Sequence, residues 1–154
     1  MSEPTASLPS PSLLKKAWLW ACAAMSAAFL LTACQTTPAP GSGSAPKAYR
    51  KDAAQHLYER NANRIYKGKL PPMLYAVGVL QTQLDSQGRI RNLHWLRKPS
   101  HAPEVVAEIE RTVRAAAPFP ATGSRAPVTY TETWLWDKSG RFQLDTLSEG
   151  QLGE

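Results

Sequence analysis

The spacing of apolar residues changes period several times along the second half of the chain, and each change marks an element. Over 47–67, Ala53, Leu57 and Ile65 recur at multiples of four, with Tyr49 and Tyr58 beside them. That spacing predicts a helix, stopped by Gly68 and kept from resuming by Pro71 and Pro72. From 74 to 84 the period drops to two, with Leu80, Thr82 and Leu84 on one side and Val77, Val79, Gln81 and Gln83 on the other. This predicts a strand, and Asp85-Ser86-Gln87-Gly88 supplies the turn into a second one over 89–97. There Ile90 is followed by Leu93 and Trp95, and the odd step from 90 to 93 requires a β-bulge near Asn92 to return all three to one face. Over 104–117, Val105, Val106, Ile109, Val113 and Ala116 return to helical spacing, and Pro118-Phe119-Pro120 ends the run. Residues 128–136 alternate again, Tyr130, Trp134 and Trp136 against Thr129, Thr131, Thr133 and Leu135. A turn at Asp137-Lys138-Ser139-Gly140 leads to a short optional strand over 141–144. The order α-β-β-α-β, with helices on one face of a small antiparallel sheet, is an α+β architecture.

The first half follows different rules. Lys15 and Lys16 precede an uncharged apolar run over 17–31, whose fifteen residues fit an export signal and fall short of the roughly 20 needed to span a bilayer as a helix. Leu31-Thr32-Ala33-Cys34 follows directly. This arrangement resembles the lipobox of bacterial lipoproteins, which implies cleavage of 1–33 and acylation of Cys34. The chain is then expected to be a membrane-anchored lipoprotein facing the periplasm. Gln35, in place of an Asp, favours the outer membrane over the inner one under the sorting rule of such lipoproteins. Cys22 departs with the signal, so no disulfide is expected. Residues 34–46 comprise the acylated Cys and a tether of Gln, Thr, Pro, Ala, Gly and Ser, a composition that cannot bury a core. Residues 47–154 remain for one modest domain.

Within that domain, Leu84-Asp85-Ser86-Gln87-Gly88-Arg89-Ile90, the spaced Leu93 and Trp95, and Ala116-Ala117-Pro118-Phe119-Pro120 fall in the order and spacing of the C-terminal domain of TonB and its relative TolA. The resemblance covers about residues 50–137. Two positions depart from the family pattern: Lys98-Pro99-Ser100 stands where S-S-G is common, and Ala121 replaces a second Pro. The resemblance implies a protein-binding module of the cell envelope, concerned with transport or envelope integrity, that takes up an extended partner segment by strand addition. Residues 17–31 contain no His and the tether is short, so the chain is not expected to transmit proton-motive energy itself. Transferred by position, the free edge is expected at 128–136, with Val128, Tyr130, Glu132, Trp134 and Trp136 as partner-binding positions. The alternative is a fixed structural subunit of an envelope complex. These differ at 141–144, which would block strand addition if it folds over that edge. A homodimer is compatible with either.

Charge and candidate chemistry add exclusions. Eighteen Lys and Arg against 12 Asp and Glu give a net charge of +6. Lys67, Lys69, Arg89, Arg91, Arg97 and Lys98 could present a positive surface to anionic lipid or glycan. A nucleic-acid partner is not expected behind an export signal. His56, His94 and His101 lack metal-ligand spacing, and neither Ser139-Gly140 nor Ser86-Gln87-Gly88 sits in a nucleophile elbow. No enzyme activity, cofactor or metal is expected.

Overall fold

The computed structural model describes residues 43–153. The expected signal segment, Cys34 and most of the tether lie outside the described residues. The elements run β1 (Gly43–Ser44), α1 (Lys47–Arg60), β2 (Ala76–Leu84), β3 (Ile90–Arg97), α2 (Pro103–Ala116), β4 (Val128–Trp136) and β5 (Phe142–Leu144). The fold is α+β. Its sheet has the order β1-β4-β2-β3, with β5 also paired to β4.

Both helices cover one face of the sheet. Tyr49, Ala53 and Leu57 of α1, and Val105, Ile109, Val113 and Ala116 of α2, meet Leu80, Leu84, Tyr130 and Trp134 in a single core. This is the face that the alternation of β2 and β4 predicts, because every second residue of each strand is buried. Among the described residues no helix packs on the opposite face, where Gln81 Nε2 donates to Thr131 Oγ1 across the strands (3.3 Å).

The sheet departs from expectation in two ways. It is mixed, not purely antiparallel, because Gly43 and Ser44 pair in parallel with Val128 and Thr129. The tether therefore ends before residue 43, and Ala45 beyond it is buried in the core. The tail over 141–144 is also no accessory: Phe142 stacks on Trp136 with centroids 5.3 Å apart, and Leu144 is fully buried. The predicted bulge is present. Gln83 lies opposite Asn92 while Leu84 lies opposite Ile90, leaving Arg91 as the extra residue. A second bulge at Leu96 separates the Leu80–Trp95 pair from Val79–Arg97.

Helix α1 is shorter than its spacing predicts. It stops at Arg60, where Asn61 Nδ2 donates to the Leu57 carbonyl (2.9 Å) and the Asn61 N–H to the Tyr58 carbonyl (3.1 Å). Asn satisfies the last orphan carbonyls of a helix in this way. Ile65, expected on the helix, instead bridges Phe142 beside the sheet.

Candidate functional site

The expected partner-binding strand β4 is internal. On one side it pairs with β2 along its whole length, from Val128 opposite Leu84 to Trp136 opposite Ala76. On the other side β1 covers Val128 and Thr129, and β5 covers Trp134, Leu135 and Trp136. The side chains are equally out of reach, since Val128, Tyr130, Glu132, Trp134 and Trp136 are only 1–6% exposed. The expectation of a free edge here is therefore corrected: the tail folds back over the strand, and its aromatic stripe is core.

Glu132 completes the closure. Its Oε1 accepts the Thr133 N–H (3.0 Å) and the Thr146 N–H (3.2 Å), while Oε2 accepts the Tyr130 hydroxyl (2.7 Å). The carboxylate thus binds the edge of its own strand to the turn after β5. Burial pushes its carboxyl above the ordinary value, outweighing the hydrogen bonds that favour the charged form. Residues 130–133 lie between the covered stretches, and with the Thr133 N–H taken by Glu132 the run is too short to accept an added strand.

The long edge that remains is β3, which pairs with β2 alone among the described residues. Backbone directions identify its outward groups. The Thr129 carbonyl accepts from the Ala45 N–H on the β1 side, and the Trp136 carbonyl accepts from the Tyr75 N–H on the β2 side, each at 2.9 Å. Peptide groups alternate along a strand, so even-numbered residues of β4 face β2 and odd-numbered residues of β2 face β3. Asn92 and His94, opposite Gln83 and Gln81, therefore turn their peptide groups inward, and Leu93 and Trp95 turn theirs outward. The side chains of Leu93 and Trp95 lean on the core, with Trp95 Nε1 donating to Glu110 Oε1 (2.8 Å). Arg91, His94, Leu96 and Arg97 are exposed along the same strand. The sequence signal for this edge was the irregular Ile90–Leu93 step, which marked the bulge without showing which strand ends the sheet.

A cleft of about 440 Å³ opens where β3 begins, lined by Arg89, Ile90, Arg114, Ala117 and Pro118. Neither guanidinium makes an ion pair among the described residues. The three histidines are separated: His56 donates to the Ala116 carbonyl (2.7 Å), His101 to the Tyr75 carbonyl (2.8 Å), and His94 is exposed on β3. Among the described residues no three His, Cys, Asp or Glu gather as a metal site, and no helix is long and apolar enough to cross a membrane. Comparison with protein-family models, with curated proteins and with solved structures found no match to this chain.

Proposed function

We propose that this chain is a membrane-anchored, periplasm-facing lipoprotein, held at the outer membrane through acylated Cys34. Its domain is a TonB/TolA-like module that binds an envelope partner by strand addition and has no energy transduction of its own. The observation that supports this reading is the outer edge of β3, unpaired among the described residues, an eight-residue strand with outward peptide groups at Leu93 and Trp95. An extended segment added there gains main-chain hydrogen bonds, and alternating side chains select its sequence. Charge narrows the choice. Exposed Arg91 and Arg97 lie symmetrically about His94, so antiparallel pairing with a second copy in the register centred on His94 sets Arg91 against Arg97, and like charges facing each other destabilise a sheet. The edge thus disfavours its own copy and suits an acidic extended segment.

The second reading, a fixed subunit of an envelope complex, draws on the covered β4 edge, which leaves no binding strand where the family resemblance implies one. Proline at position 93 separates the two. Its N–H faces outward, so Leu93→Pro removes a donor without breaking the β2–β3 ladder, whereas Leu93→Ala keeps the donor and trims only the side chain. With a photo-crosslinking residue at Arg91 in cells, the wild type and Leu93→Ala should yield the same partner adduct, and Leu93→Pro should lose it while retaining a folded circular dichroism spectrum. A folded Leu93→Pro variant that still gives the adduct overturns strand addition. The fixed-subunit reading then stands in its place.

A further inference from the structure

We infer that the end of the domain where the chain enters the sheet is a docking surface for anionic lipid headgroups of the bilayer that holds the anchor. The inference rests on the lipoprotein reading above. Three observations converge on this pole. β1 runs parallel to β4 with Gly43 opposite Val128, so the chain arrives at the same end as the β2–β3 turn and the loop that precedes β4. Eight residues, 35–42, separate Cys34 from β1. At no more than ~3.6 Å each they span at most about 30 Å, roughly the length of one nine-residue strand. The entry pole stays within reach of the membrane wherever the domain turns.

The second observation is the charge of this pole. Lys47 and Arg50 open α1, Arg89 and Arg91 flank the start of β3, Arg114 ends α2, and Arg125 lies just before β4. The acidic residue of the β2–β3 turn, Asp85, is occupied by that turn: its carboxylate accepts the Gln87 and Arg89 N–H groups at 2.9 Å each. The Arg89 N–H is the main cause that holds its carboxyl below the ordinary range. The opposite pole is mixed. There Glu104 takes the Tyr75 hydroxyl, Glu108 pairs with Arg64, and Glu149 accepts the Gly68 N–H.

The third is the cleft, in which Arg89 and Arg114 flank an apolar floor of Ile90, Ala117 and Pro118. The nearby helix-end carbonyls of Ala116 and Arg114 are already taken by His56 and the Ala117 N–H, and the carboxylate that faces Arg89 is that of Asp85, which the charges of Arg89 and Arg91 also help to hold ionised. Two cations over an apolar floor suit a phosphate headgroup with its glycerol and first methylenes beneath.

The test uses the full acylated chain reconstituted in vesicles of phosphatidylcholine alone or with roughly one third phosphatidylglycerol, read by amide hydrogen exchange. Exchange over 86–89 and 121–126 should slow by roughly three- to tenfold on the anionic vesicles only, and that over 138–140 should not change. High salt should erase the difference. So should Arg89→Glu combined with Arg114→Glu, two exposed positions, and Arg125→Glu alone should weaken it. Free inorganic phosphate at millimolar level should leave protection intact. Competition by phosphate, equal exchange on both vesicles, protection at 138–140, or a folded double variant that is still protected would each overturn the inference. A chain that washes off both vesicles overturns the anchor and the inference together, whereas one that stays attached with an unprotected pole overturns the inference alone.

Discussion

A side-chain carbon on Gly88 would lie 1.9 Å from the Phe119 carbonyl oxygen, and the residue already has a φ of 76°. The Phe119 N–H donates to the Gly88 carbonyl at 2.9 Å. The D-x-x-G turn and the P-F-P corner, about thirty residues apart, are therefore two halves of one contact, which gives a physical reason for them to occur together. Glu132 is the other residue on which the fold turns. Its carboxyl is raised above the ordinary 4.5, so the folded state binds that proton more tightly than the unfolded chain does. The stability this confers is complete below pH 4.5 and is lost as the pH rises through the folded value. Glu132→Gln keeps the shape and cannot ionise. Denaturant midpoints measured from pH 4.5 to 8 should fall for the wild type relative to Glu132→Gln. Parallel curves would show that the site does not titrate in that window.

Among the elements, β5 has the largest effect for its length. Phe142 is fully buried between Trp134 (4.9 Å between centroids) and Trp136, under the Arg64 guanidinium. Removing such a ring leaves a cavity, so Phe142→Ala should cost about 3–5 kcal/mol in urea unfolding. A loss under about 1 kcal/mol would mark the tail as dispensable. This also shows how far the sequence could be read. Periodicity located both helices, the three long strands and the bulge, because each has enough residues to show a repeat. Three residues of β5 and two of β1 show none, and Gly-Ser has no side-chain pattern at all. Strand order was equally hidden. The alternation of β4 correctly identified the buried face of its side chains, but which backbone edge stays open is decided by short segments that pair at a distance. The expected free edge was therefore misplaced: β4 is internal, and the long edge left open among the described residues is β3, two strands away.

At the scale of the whole molecule, the proposed anchoring and binding fall on different parts of the sheet: the chain enters beside β4, and the open edge among the described residues is β3 at the far side of β2. A partner segment can therefore be added without displacing the attachment. On the proposed lipoprotein reading, the attachment depends on a single thiol. Cys34→Ser should abolish labelled palmitate incorporation and leave the precursor uncleaved at 33/34, both visible on a gel. Palmitate uptake by the Ser variant would overturn the lipoprotein reading and leave the fold untouched.

The brief pairing of β1 with β4 has a mechanical consequence. Because β1 enters parallel to its neighbour, tension on the anchor pulls along the strand axis and loads its few bonds in shear at once. The first covalent stretch to yield is 43–46, ahead of α1, whose Tyr49 hydroxyl donates to the Pro120 carbonyl at 2.8 Å. Yielding there adds almost no length, because the strand already lies extended along the pull, but it frees four residues to swivel before the helical layer feels the force. On the proposed lipoprotein reading, the two-residue strand is a breakaway pivot: it fixes the orientation of the domain at rest and lets the domain turn under load.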